Sequence, residues 1–107
     1  MALTRDFKLT VIERVQRDPL FAQAMLDEAA TAFLNGEPDT ARIILRELVN
    51  SSIGFEQLAN LVGGNSKSLH RMLSATGNPN MDNLAAIFGA VRKVLKVELE
   101  VHAKQAA

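Results

Sequence analysis

Phe55-Glu56-Gln57-Leu58-Ala59-Asn60-Leu61-Val62-Gly63-Gly64-Asn65-Ser66-Lys67-Ser68-Leu69-His70-Arg71-Met72 is the stretch that decides the fold. Ala59 and Gly63 stand four apart, Leu69 follows six later and Met72 three after that, with Leu58 and Val62 apolar beside them. Phe55 to Val62 reads as a short helix stopped by Gly63-Gly64, and Asn65 or Ser66 caps a second one reaching about Leu73. This is the spacing of a helix-turn-helix. Two short helices crossing steeply need a small residue at the crossing, which Ala59 is. The turn needs a positive φ, which Gly63 supplies.

Leu69, Met72 and Leu73 turn the second helix's apolar face inward, so Lys67, His70, Arg71 and Ser74 face outward, with Asn65 and Ser66 at the N-terminal tip. A recognition helix needs such side chains. Its first N–H groups and dipole favour phosphate, Arg and Lys reach guanine O6 and N7, and Asn pairs with adenine. No acid lies between Glu56 and Asp82, whereas Lys67, His70 and Arg71 do. The bland alternative is a helical hairpin with a solvated polar face. The acid-free window favours DNA.

The same residues resemble a family. Phe33-Leu34-Asn35-Gly36-Glu37-Pro38, Ala59 and Gly63, Leu69-His70-Arg71-Met72-Leu73-Ser74 and Gly77-Asn78-Pro79 look like the addiction-module antidote proteins, HigA-like antitoxins with a Cro/C1-type helix-turn-helix. The likeness spans roughly residues 32–95 and is most specific at Leu73 to Pro79. It implies a Cro/C1-like five-helix DNA-binding domain, placed over 37–95. The apolar periodicity outside it completes an all-α reading, with an N-terminal helical extension over 1–36 and a short C-terminal strand and tail over 96–107. The likeness also implies an autorepressor that binds double-stranded operator DNA and neutralises a RelE/ParE-type toxin. By analogy, Asn65, Ser66, Lys67 and Arg71 read bases, with His70 as a further candidate. Two positions depart from the pattern. Gly64 stands where such turns carry an apolar residue. Phe55 stands where many Cro/C1 domains place a phosphate-binding Gln, a role that Gln57 is expected to take over. Residues 1–31 match only loosely. The alternatives are a stand-alone helix-turn-helix regulator, or a protein-interaction antidote with a vestigial DNA-binding motif.

Outward from this core the pattern stays helical. Phe7, Val11 and Val15 form one stripe, ending near Arg17. Asp18-Pro19 reads as an N-cap followed by proline at the first helical position. Phe21, Met25, Ala29 and Phe33 continue to Leu34, and Asn35-Gly36 closes that helix. Pro38 opens the next, with Ile44, Leu45, Leu48 and Val49 buried, and Gly54 breaks it. Ser74 to Asn80 is a loop. Asn80 caps a last helix with Leu84, Ile87, Phe88, Val91 and Leu95 inside.

With 107 residues the chain is one domain. It has no cysteine, which excludes disulfides and thiolate chemistry. Phe is its only aromatic type, so stacking platforms for single strands are not expected. Twelve Lys and Arg balance twelve Asp and Glu, which argues against a polycation that coats nucleic acid. The balance is uneven: residues 1–54 carry six basic and eight acidic groups, and residues 55–107 carry six and four.

Enzymatic readings fare badly. Ser66 and His70 share a helix face, but no carboxylate is expected beside them to orient the imidazole. His70 and His102 are the only histidines and have no ligand spacing, so neither a metal nor another cofactor is expected. Gly63-Gly64 lacks the Lys-Ser/Thr of a phosphate loop. The charged start, Met1 to Lys8, reads as no leader, and no apolar run spans a membrane, so a cytoplasmic protein is expected.

The tail changes period. Val97, Leu99 and Val101 alternate with Glu98, Glu100 and His102, as in a half-buried strand. The alternative is a last helix that continues and frays. A lone strand needs a partner. Antiparallel pairing with a second copy would make a homodimer and set two recognition helices about 34 Å apart, with Val97, Leu99 and Val101 packed near Phe88 and Val91. The competing use is β-addition to a toxin's sheet.

Overall fold

A computed structural model describes the backbone of residues 5–107 and the side chains from Phe7 onward, Lys8 excepted. The start of the chain, read above as no leader, therefore lies in part outside the described residues. Six helices follow in order: α1 (Arg5–Arg17), α2 (Pro19–Leu34), α3 (Pro38–Ser51), α4 (Gly54–Val62), α5 (Ser66–Met72) and α6 (Met81–Leu95). Among the described residues there is no strand, so the fold is all-α. Residues 37–95 hold four helices, α3 to α6, and not the five expected, because the stretch between Met72 and Met81 is a loop and the preceding helix, α2, ends at Leu34.

Local chemistry sets the helix ends. The Asp18 side chain accepts from the Leu20 N–H at 3.0 Å, with Pro19 just behind it. Partial removal from water pushes the Asp18 carboxyl up. The Arg14 hydrogen bond, the N–H groups of Leu20 and Phe21, and the charge of Arg14 outweigh this and hold it below its ordinary value. Arg14 also lies over the Phe21 ring, 5.2 Å from its centroid, which fastens the α1–α2 corner. At the far end of α2, Gly36 (φ +80°) lets its own N–H reach the Phe33 carbonyl and the Glu37 N–H reach that of Ala32. That is a Schellman closure, which puts Pro38 at the start of α3.

One core joins the helices. Val11 and Val15 of α1, Ala22, Leu26 and Ala29 of α2, and Leu45, Leu48 and Val49 of α3 pack with Phe55, Leu58, Leu69, Leu73, Ile87 and Val91. Leu26, Leu48, Leu58 and Ile87 are wholly buried. α2 lies along α3 and also meets α6, where the Phe33 and Phe88 rings are tilted 43° at 6.4 Å.

The strand expected at Val97–Val101 is corrected. Lys96 takes a left-handed φ of 58° and ends α6, and the Val97 N–H donates back to the Arg92 carbonyl at 3.1 Å. The Arg92 guanidinium donates to the Val97 carbonyl at 3.3 Å. Both main-chain groups of Val97 are thus used within the chain, where a ribbon would need them for its ladder. The alternation is still visible. Val97 and Leu99 are half-buried while Glu98 and Glu100 are exposed. They face a helix instead of a strand, bordering a cleft with Leu20, Gln23, Ala24 and Asp27 of α2. Val101 stays exposed.

No described helix is long and apolar enough to cross a membrane.

Candidate nucleic-acid interface

α4 and α5 are two short helices joined by the turn at Gly63–Asn65. Ala59 is buried on α4. Gly63 closes α4 at φ +69°, a conformation that costs other residues about 1–2 kcal/mol. Gly64 follows, and its N–H donates to the Ala59 carbonyl at 2.9 Å. The Asn65 side chain accepts from the Ser68 N–H at 3.2 Å and starts α5. Leu69 and Leu73 are buried and hold α5 to the core, so Lys67, His70 and Arg71 are exposed together on its outer side.

The six candidate residues fare differently. Lys67 and Arg71 are open to solvent, as the sequence leads one to expect. Asn65 is exposed, with its side-chain oxygen occupied by the cap. Ser66 is half-buried, and its hydroxyl donates to Glu56 Oε1 at 3.0 Å. His70 is exposed, but one face of its ring stacks on Phe55 at 3.8 Å with 20° between planes. Gln57 is exposed on α4.

Two expectations change. A carboxylate does neighbour Ser66: Glu56 lies ten residues away in sequence and comes into contact because the turn folds α5 back beside α4. It meets the hydroxyl directly, with no imidazole between them, so the contact fixes the start of α5 and is not an activated nucleophile of the triad kind. The acid-free window in the sequence therefore has an acid at its edge in space. Phe55 is buried under His70, and serves as a floor for that ring.

The far end of α5 is held by Arg42, which the sequence reading did not single out, together with Ser74 and Gly77. Arg42 on α3 donates through Nε to the Ser74 carbonyl at 3.2 Å and through Nη2 to the Ala75 carbonyl at 3.3 Å, and also pairs with Asp39. Its side chain is only 13% exposed. Ser74 bonds back to the Arg71 carbonyl through both its N–H and its hydroxyl. Gly77 then passes so close to α5 that a Cβ there would overlap the carbonyl oxygens of Arg71 and Met72 and sit 2.6 Å from the Met72 carbonyl carbon. The only local hint of the Arg42 clasp is the three-residue spacing of Asp39 and Arg42.

Among the described residues, no group of three His, Cys, Asp or Glu side chains is placed to hold a metal ion. Comparison of the chain with protein-family models, with curated proteins and with solved structures finds no match in any of the three.

Proposed function

We propose that this protein binds double-stranded operator DNA through α5, as a Cro/C1-type repressor does, and that it serves as the autorepressing antitoxin of a RelE/ParE-type toxin. The observation that carries the DNA reading is the outer side of α5. Lys67 and Arg71 stand there side by side on a helix fixed at both ends, by Asn65 and Glu56 at one and by Arg42 and Gly77 at the other. Rigid presentation suits base reading, because a bidentate Arg–guanine contact needs the guanidinium in one plane. Asn65 and Gln57 supply neutral donors beside them. The neutral net charge suits a protein that takes its affinity from a few specific contacts, not from a general basic surface.

The antitoxin half of the reading rests on the likeness over residues 32–95. It predicts a neighbouring reading frame that encodes a small basic protein, roughly 90–120 residues long in keeping with a single domain. Gel retardation with the gene's own promoter tests the DNA half. A band that survives excess unrelated duplex supports it, and equal competition by unrelated duplex contradicts it. Co-purification with the neighbouring gene product tests the toxin half separately.

A further inference from the structure

α4 and α6 leave an open apolar groove on the side of the molecule away from their shared core. It is lined by Leu61 and Val62 of α4 and by Ala86, Gly89, Ala90, Lys93 and Val94 of α6. Leu61 is 52% exposed and Val94 37%, so large apolar side chains stand in water there. From this groove we infer that the protein pairs with a second copy of itself, α6 against α6 in antiparallel fashion, about a twofold axis passing between Ala86 and Gly89. This pairing holds whether or not α5 reads DNA.

The charge pattern selects a second copy as the occupant. Asp82, Ala86, Gly89 and Lys93 follow one another along α6 at spacings of four, three and four residues, so they form one stripe. An acid ends the stripe at the N-terminal side and a base at the C-terminal side, about 16 Å apart along the axis. Ile87 and Val91, which are buried, lie on the opposite side of the helix. Turning a second α6 end for end sets Asp82 against the partner's Lys93 and Lys93 against the partner's Asp82. It also sets Ala86 against the partner's Gly89. A parallel arrangement would oppose like charges at both ends. The stripe is thus complementary to its own reverse, which is what an isologous interface requires. Leu61, Val62 and Val94 supply apolar area at its flank.

Gly89 adds a separate argument. Glycine is among the poorest residues inside a helix, yet a Cβ at Gly89 would meet nothing within 4 Å in its own chain. Neither the turn geometry nor the packing of this chain calls for a glycine there. A neighbouring helix that approaches closely does.

Sedimentation equilibrium of the full chain across the micromolar range, with four variants, tests the pairing. The wild type is expected at twice 11.7 kDa. Gly89→Gln fills space that is empty in the single chain, so it keeps its helical circular dichroism but shifts to monomer. Asp82→Lys alone and Lys93→Asp alone each weaken the dimer roughly tenfold, because each places like charges together twice. Asp82→Lys combined with Lys93→Asp restores it. A wild type that stays monomeric overturns the inference. So does a dimer that Gly89→Gln leaves equally tight, or a double exchange no tighter than either single change.

Discussion

The His70 imidazole lies flat on the Phe55 ring, with 3.8 Å between centroids and 20° between planes. A buried side chain of α4 thereby covers one face of an exposed side chain of α5 and sets its orientation. Stacking of this kind contributes about 0.5–1.5 kcal/mol beyond simple burial. His70→Ala is therefore expected to destabilise the fold by about 1 kcal/mol in urea denaturation. His70→Phe keeps the stack and removes both ring nitrogens, so it should leave stability nearly unchanged. Any loss of DNA affinity in His70→Phe then reports a contact made by the ring nitrogens.

Arg42 and Gly77 hold the end of α5 by different means. Arg42→Ala frees two carbonyls and is expected to cost about 1.5–3 kcal/mol, the range for hydrogen bonds to a charged group. Arg42→Lys recovers little of this, since one ammonium cannot replace the guanidinium fork. Gly77→Ala must push a backbone apart and is expected to cost at least ~1–3 kcal/mol. Hydrogen exchange at residues 72–77 checks both, and the amides there should lose protection in each variant.

These contacts show which parts of the molecule can be read along the chain. Asp18-Pro19, Asn35-Gly36-Glu37-Pro38, Gly63 and Asn80 mark helix ends because capping is local chemistry between residues two to five apart. The period of apolar residues predicts the buried side of α3 and α6. On α2 it is off by one position: Ala22, Leu26 and Ala29 are buried, whereas Phe21 and Met25 are half-buried and Phe33 is exposed. Phe7 of the α1 stripe is exposed too. Arg42 with Ser74, Glu56 with Ser66, and Phe55 with His70 are 32, 10 and 15 residues apart. They meet only because of how the helices cross, and no local pattern encodes a crossing angle. The tail misleads for a different reason. Alternation says that every second side chain is covered, and a helix covers Val97 and Leu99 as well as a strand would.

Glu56 puts a carboxylate beside the start of α5, where the proposed DNA backbone passes. Glu56→Gln keeps an acceptor for the Ser66 hydroxyl and removes the negative charge. It is expected to tighten DNA binding by roughly 3–10-fold at low salt, with the gain shrinking as salt screens the charge. Fluorescence anisotropy at two ionic strengths measures it, and an affinity unchanged at both would place the phosphates elsewhere.

Asp18 makes the α1–α2 corner sensitive to acid. Its carboxyl is held below the ordinary value of 3.8. A lowered folded-state pKa means that the charged form stabilises the fold above that value, and that this stabilisation is lost as pH falls through the folded pKa. Asp18→Asn retains a capping oxygen without the charge. Wild type is expected to melt at a higher temperature than Asp18→Asn at pH 6, and the gap should close below pH ~3.

The proposed operator binding by Lys67 and Arg71 on α5 is tested by the affinity for the promoter fragment as a function of salt, for wild type, Lys67→Ala, Arg71→Ala and the double variant. Arg71→Ala is expected to cost about 1–3 kcal/mol and to relax the preference at one base pair. Lys67→Ala is expected to weaken all sequences alike and to lower the salt slope by about one. A double variant that binds the promoter as tightly as wild type, with the same slope, would remove α5 as the DNA-reading helix.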